Sequence, residues 1–166
     1  MSVTLREGAF AKINLTLDVL GKRSDGYHEV RMVMQSVGLS DAVEIEEGEG
    51  LVVETDHSGL AGGPDNLAWK AAELLARCCG KIPNVHIRLN KKIFLAAGLA
   101  GGSSDAAAVM RGLSRLWQLD LTAPELEKLA AELGSDIPFC ITGGTALAEG
   151  RGEILTELPE APELLL

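Results

Sequence analysis

The chain has 166 residues, of which 46% are hydrophobic, with 15 Lys or Arg against 24 Asp or Glu and a formal net charge of -9. One domain of this length buries about 68–70% of the surface its unfolded chain exposes, so it needs neither disulfides nor metals to hold a core. The acidic balance excludes a protein that grips nucleic-acid backbones, because that affinity rests on Lys and Arg neutralising phosphates. It leaves room for a small pocket in which backbone N–H groups hold a phosphate. Cys78, Cys79 and Cys140 show no CxxC and no Cys/His metal spacing, and are expected to be buried small hydrophobes in a reducing compartment. The opening run MSVTLREGAFAKINLTL has no signal-peptide core and no Arg/Ser-rich transit pattern. No apolar run approaches the roughly 20 residues of a membrane span, so the chain reads as cytoplasmic, with no membrane partner.

In chain order, Ile13, Leu15, Leu17 and Val19 alternate with polar or small residues, which predicts a half-buried strand. Ser24-Asp25-Gly26 is a turn signal. Apolar residues return at Val30, Met32, Val33 and Met34, then at Val43 and Ile45 between acids, and Leu51 to Val53 opens a further short strand. From Asn66 to Cys79 the period becomes helical through Leu67, Ala71, Leu74, Leu75 and Cys78, with Asp65 or Asn66 as N-cap and Gly80 at the left-handed C-terminal position. Val85, Ile87 and Leu89 alternate as a strand. A helix is predicted from Ser103 to Trp117, with Ala107, Met110, Leu113 and Leu116 in one stripe. Thr122 and Glu125 form a capping box with Pro124 in the first turn, starting a helix that runs to Leu133 and stops at Gly134. Thr145 to Leu158 reads as a hairpin around Gly150-Arg151-Gly152. Strands, helix, strand, two helices, strands is the order of an α+β fold. Glu163-Leu164-Leu165-Leu166 reads as the beginning of an apolar strand that continues in a longer protein.

Three segments carry chemistry. Leu95-Ala96-Ala97-Gly98-Leu99-Ala100-Gly101-Gly102-Ser103-Ser104-Asp105 lies between a predicted strand and a predicted helix. Small residues let a phosphate approach the backbone, and the helix start offers free N–H groups and a partial positive charge. Ser103 and Ser104 add hydroxyls suited to phosphate or magnesium. The segment lacks the Lys of G-x-x-x-x-G-K-[ST] and does not match G-x-G-x-x-G; by spacing alone, a glycine-rich connection with a Ser N-cap is the alternative. In Ala11-Lys12-Ile13-Asn14-Leu15, Lys12 and Asn14 share one strand face, either as a site or as two solvent-facing polar residues. In Leu133-Gly134-Ser135-Asp136-Ile137-Pro138-Phe139, Asp136 follows a helix end, where a loop carboxylate serves either as a general base or as a turn-former.

Jointly, Ala-Lys-Ile-Asn-Leu, Gly-Leu-Ala-Gly-Gly-Ser-Ser-Asp-Ala-Ala and Gly-Ser-Asp-Ile-Pro-Phe, in this order and at these separations, resemble the GHMP kinases. Gly26-Tyr27-His28 narrows the resemblance to the bacterial branch acting on a cytidyl diphosphate methylerythritol. The resemblance implies a mixed sheet packed with helices, akin to the second domain of ribosomal protein S5. It implies that residues 1–166 form the N-terminal ATP-binding domain, with the family's C-terminal domain absent. The reaction implied is transfer of the γ-phosphoryl of ATP, with Mg2+, to the 2-hydroxyl of the methylerythritol, a step of the non-mevalonate isoprenoid pathway. Asp136 would accept the hydroxyl proton, and Lys12 would keep Asp136 a carboxylate and steady the reacting oxygens. Phe94, Leu95, Ala96, Ala97, Gly98, Leu99, Ala100, Gly101, Gly102, Ser103 and Ser104 would wrap the ATP phosphates, with Asn66 near the nucleotide and Ser104 the candidate for Mg2+. Asn14, Tyr27 and His28 would bind the substrate, Tyr27 and His28 against its cytosine; His28 alone is equally a plain surface or core histidine.

Phe94 departs from the pattern, since the family usually has Pro there and Phe lacks proline's fixed φ. With one of two domains, the chain is expected to bind ATP weakly and turn over poorly. Two alternatives stay open: a GHMP kinase for another alcohol such as mevalonate, homoserine or a sugar, and a non-enzymatic binding module on the same fold.

Overall fold

Residues 4–160 are described by a computed structural model of the chain. Its scaffold is a long hairpin of β1 (Leu5–Lys22) and β2 (His28–Glu47). The Ser24-Asp25-Gly26 turn closes it: Asp25 Oδ1 accepts from the Tyr27 N–H at 3.1 Å, the Arg23 N–H donates to the Tyr27 carbonyl at 2.8 Å, and Gly26 has φ 88°. There follow β3 (Leu51–Thr55), α1 (Leu67–Cys79), β4 (Val85–Asn90), α2 (Gly101–Leu116), α3 (Ala123–Ala130), α4 (Ile137–Thr142), β5 (Thr145–Gly150) and β6 (Ile154–Glu157). The sheet order is β3-β4-β2-β5-β6, with β1 along the other edge of β2, and only β3 and β4 run parallel. The C-terminal half of β2 pairs with β4 and its N-terminal half with β5, so the sheet forks along one strand.

Helices cover one face. Val43 and Ile45 of β2 and Val85, Ile87 and Leu89 of β4 meet the small-residue faces of α1 and α2, all essentially inaccessible to water. A second cluster joins Met32 and Met34 of β2 to Phe139 of α4 and to Ala146 and Ala148 of β5. The mixed sheet packed with helices that the sequence implied is thus observed. No helix among the described residues is long and apolar enough to cross a membrane.

Several local expectations are met. Asn66 caps α1 by accepting from the Ala68 N–H at 2.9 Å, and Gly80 ends it at φ 62°. Glu125 accepts from Thr122 N–H and Oγ at 2.8 and 2.7 Å, which opens α3. The tail hairpin turns at Gly150 and Gly152, with φ 72° and 109°.

The apolar residues at 30–34 and at 43–45 belong to one continuous β2, whose central residues stay extended where the sheet forks. Three expectations are corrected. The half-buried stripe on β1 does not form: a bulge between Asn14 and Thr16 reverses the alternation, and Leu15, Leu17 and Val19 are exposed. The third helix stops at Ala130 rather than Leu133, and a further helix, α4, begins at Ile137 with Pro138 in its first turn. Of the cysteines expected to be buried, Cys78 is exposed and Cys79 and Cys140 are half-buried, all as free thiols. The strand start expected at Glu163–Leu166 lies outside the described residues.

Candidate functional site

Between β4 and α2 the chain turns through residues 94–100, with Ala96, Gly98 and Ala100 in the left-handed region at φ 55°, 75° and 59°. Small side chains make those turns sterically tolerable. The last of them, at Ala100, tips the chain into α2 two residues ahead of the predicted start. No side chain caps that helix and no acid occupies its first turn. The first N–H groups of a helix have no partner within it, and they carry its positive dipole end. Two bonds seat this segment on β1: the Lys12 N–H donates to the Leu99 carbonyl at 3.1 Å, and Ser104 Oγ donates to the Phe10 carbonyl at 2.6 Å.

The opposite wall comes from β1 and α4. Lys12 Nζ donates to Asn14 Oδ1 at 3.1 Å and lies 3.5 Å from Asp136 Oδ2. The lysine side chain is 7% exposed and the aspartate side chain 35%, so a nearly buried ammonium faces a carboxylate that is open to a ligand. Asp136 sits at the N-cap of α4 but makes no capping bond, which leaves its carboxylate free of the helix. Between the walls lies a cleft of about 470 Å3, lined by Lys12, Asn14, Leu67, Asp136 and all of residues 94–103.

The structure therefore gathers Lys12, Asn14, Asp136 and the expected loop from Phe94 to Ser103. Phe94, where proline was the expected residue, lies 73% exposed at the cleft rim. Leu67, the first residue of α1, joins them unannounced, because its helical spacing marked it only as core. Ser104 does not join them: it is 1% exposed, its hydroxyl is held by the carbonyls of Phe10 and Ala100, and it does not line the cleft. Asn66 also stays out of the lining; its side chain is spent on the α1 cap and on the Ala61 carbonyl at 2.8 Å. Cys140 stands behind the pair, its thiol pushed up to about 11 by burial and 3.5 Å from Ser104 Oγ. It is a filler rather than a nucleophile.

Tyr27 and His28 do not line the cleft; both are exposed at the hairpin tip, with the Arg151 guanidinium 4.7 Å from the Tyr27 ring centroid. Register connects His28 to the site. Directly opposed residues of an antiparallel pair share a face. The pairs Lys12–Ser36, Asn14–Met34, Leu17–Met32, Val19–Val30 and Lys22–His28 then put Lys12, Asn14, Leu17, Val19 and His28 on one face. The bulges on β1 keep that face continuous from the Lys12–Asp136 pair to the hairpin tip.

The GHMP kinases N terminal domain family is matched over residues 66–144, which span α1, the loop, α2 and the Asp136 segment. Over these residues the chain carries the N-terminal domain of the GHMP kinases. Among curated GHMP relatives, the 4-diphosphocytidyl-2-C-methyl-D-erythritol kinase of Caldanaerobacter subterraneus is 51% identical over 162 residues, covering 98% of this chain and 56% of that protein. Its counterpart in a Synechococcus is 54% identical over 153 residues, covering 92% of this chain and 50% of that protein. A crystal structure of a 4-(cytidine 5'-diphospho)-2C-methyl-D-erythritol kinase superposes with a TM-score of 0.78 at 38% identity, over 93% of this chain and 55% of that one. The chain thus spans about half the length of the curated relatives it matches.

Proposed function

We propose that residues 1–166 are the N-terminal, nucleotide-binding domain of a kinase. Its reaction transfers the γ-phosphoryl of ATP to the 2-hydroxyl of 4-diphosphocytidyl-2-C-methyl-D-erythritol, in the non-mevalonate route to isoprenoid precursors. The observation that carries this reading is the Lys12–Asp136 pair at 3.5 Å, facing an uncapped helix N-terminus across a cleft.

Residues 94–103 bind the polyphosphate through backbone N–H groups and the α2 dipole, which suits a transfer that asks mainly for positioning and charge stabilisation. Asp136 accepts the proton of the attacking hydroxyl as the new O–P bond forms and the bond to the β-phosphate oxygen breaks, releasing ADP. Lys12 and Asn14 orient the reacting oxygens. Leu17, Val19 and His28, on the same face, lie along the path toward Tyr27, whose ring suits a cytosine. Among the described residues no group of three or more His, Cys, Asp or Glu is placed to hold a metal ion. Mg2+ arriving with ATP would supply charge neutralisation at the phosphates beside residues 94–103.

Single-turnover transfer from labelled ATP, with the chain in excess, tests the reading on 4-diphosphocytidyl-2-C-methyl-D-erythritol, mevalonate and homoserine. Transfer to the first alone is expected. In Asp136→Asn it falls about 10²–10⁴-fold, with ATP affinity kept. Failure of the chain to bind ATP, or transfer to homoserine but not to the cytidyl compound, overturns it.

A further inference from the structure

Behind the cleft, three ionisable side chains, of which the sequence marked only Asp105, as the end of the loop segment, meet out of contact with water. Lys91 follows β4, Asp41 belongs to β2 and Asp105 to the second turn of α2; their side chains are 1%, 0% and 2% exposed. Lys91 Nζ donates to Asp41 Oδ2 and to Asp105 Oδ2. The other oxygen of Asp41 accepts the N–H of Lys92 and, at 2.8 Å, that of Ile93. The Lys91 N–H in turn donates to Asp56 Oδ1 at 2.9 Å. Asp105 Oδ1 is buried with no hydrogen-bond partner.

As a source of stability this is a poor arrangement. Each buried ion costs several kcal/mol of hydration, and a well-packed apolar trio in the same space does as well or better. What charges supply, and methyl groups do not, is a fixed distance and direction. The location gives that fixity a use. Residues 94–100 run from Ile93, three residues past the end of β4, to the start of α2 at Gly101. The two stems touch: a Cβ placed on Gly101 would lie 3.0 Å from Ile93 Cγ2 and 3.5 Å from Lys91 Nζ. The cluster ties the outgoing stem to the sheet through Asp41 and to the returning helix through Asp105.

We propose that Asp41, Lys91 and Asp105 are positioning residues that clamp the two stems of the 94–103 loop, and so set the spacing of the backbone N–H groups offered to a polyphosphate. This rests on the nucleotide reading of the loop for its purpose, but the clamp itself is observable without nucleotide. None of the three side chains lines the cleft, so each acts only through the backbone of the loop.

The test compares the wild-type chain with Lys91→Met and with the milder Asp105→Asn, which keeps the shape and removes the ionisable carboxyl. Amide hydrogen exchange without nucleotide is expected to rise at residues 92–104 in both variants, more in Lys91→Met, with β5 and β6 unchanged. Titration with Mg·ATP is expected to give a Kd about tenfold weaker in Lys91→Met, as for a loop competent roughly a tenth of the time. Affinity for the cytidyl substrate is expected to stay within about twofold, a split that general loosening would not produce. Unchanged exchange at residues 92–104 in a folded variant overturns the clamp, and so does an even rise along the whole chain. If Lys91→Met does not fold, Asp105→Asn decides by the same criteria. If the wild-type chain binds no ATP, the nucleotide reading fails while the exchange comparison still decides the clamp.

Discussion

Asp105, inside α2, and Asp136, at the N-cap of α4, each face a lysine, and they differ in exposure. Asp136 is about one-third exposed and opens into the cleft beside Lys12. Asp105 is enclosed, and burial pushes its carboxyl up to about 7 from an ordinary 3.8, against the opposing pull of Lys91. Between those two pH values the folded chain holds a proton that the unfolded chain has released. The associated stability is complete below about pH 4 and is lost as pH rises toward 7, with a slope of at most about 1.4 kcal/mol per unit. Lys91, raised by its carboxylate partners despite burial, gives a contribution that is lost only at alkaline pH, above its ordinary 10.5. Urea denaturation at intervals from pH 4 to 7 is therefore expected to show a falling component in the wild type that Asp105→Asn lacks. Parallel curves for the two proteins refute this assignment. At this scale the sequence was legible where chemistry leaves a pattern: Lys12, Asn14 and Asp136 stood out through their neighbours. Lys91 did not, because a Lys-Lys pair after a strand has the composition of a solvated turn, and burial of one member leaves no local mark.

α2 organises the site as an element. Its N-terminus opens on the cleft, its second turn carries Asp105, and one turn and a half further Arg111 reaches across to two other elements. The Arg111 guanidinium donates to the carbonyls of Cys140 and Ile141 at 2.6 and 3.2 Å, and to the Gly8 carbonyl at 2.8 Å. The first two lie in α4, which Asp136 precedes as N-cap; the third lies in β1, ahead of Lys12. One planar fork thus spans the strand that carries Lys12 and the helix that follows Asp136, a geometry that the point charge of lysine does not reproduce. Arg111→Gln is expected to slow phosphoryl transfer about tenfold or more through the Lys12–Asp136 spacing, while ATP affinity, governed at the other end of the helix, stays within about twofold. A loss of ATP affinity equal to the loss of rate contradicts that division. The α2 stripe and the α1 and α3 caps were legible because period and capping chemistry are local. The start of α2 and the whole of α4 were not: the first depends on a left-handed Ala100, and the second is six residues long, too short for a period to emerge. The bulge at Leu15 was equally hidden, since it comes from pairing with β2 rather than from any residue of β1.

For the whole molecule, the fold class was readable from element order, but what covers each surface was not. Alternation says that one side of a strand is apolar and leaves open what it meets; Leu17, Val19 and Leu20 are more than half exposed. The same limit applies to charge. A net charge of -9 argues against polyanions in general, yet the cleft opposes that sign locally with Lys12 and an uncapped helix end. If local geometry governs, a compact polyphosphate binds although the chain as a whole is acidic, whereas an extended RNA backbone, which samples the entire surface, does not. ATP with Mg2+ at a hundred times its Kd then stabilises the fold by about 2.7 kcal/mol, worth roughly 5–10 °C in Tm for a domain of this size. Inorganic tripolyphosphate is expected to raise Tm in the same direction if, as proposed, the loop addresses phosphates through its backbone, whereas adenosine alone and a single-stranded RNA leave it unchanged. Stabilisation by adenosine without tripolyphosphate would move the principal contact from the loop to a base pocket. Stabilisation by RNA that fades with salt would instead make the electrostatics of the whole surface, rather than of the α2 terminus, the governing term.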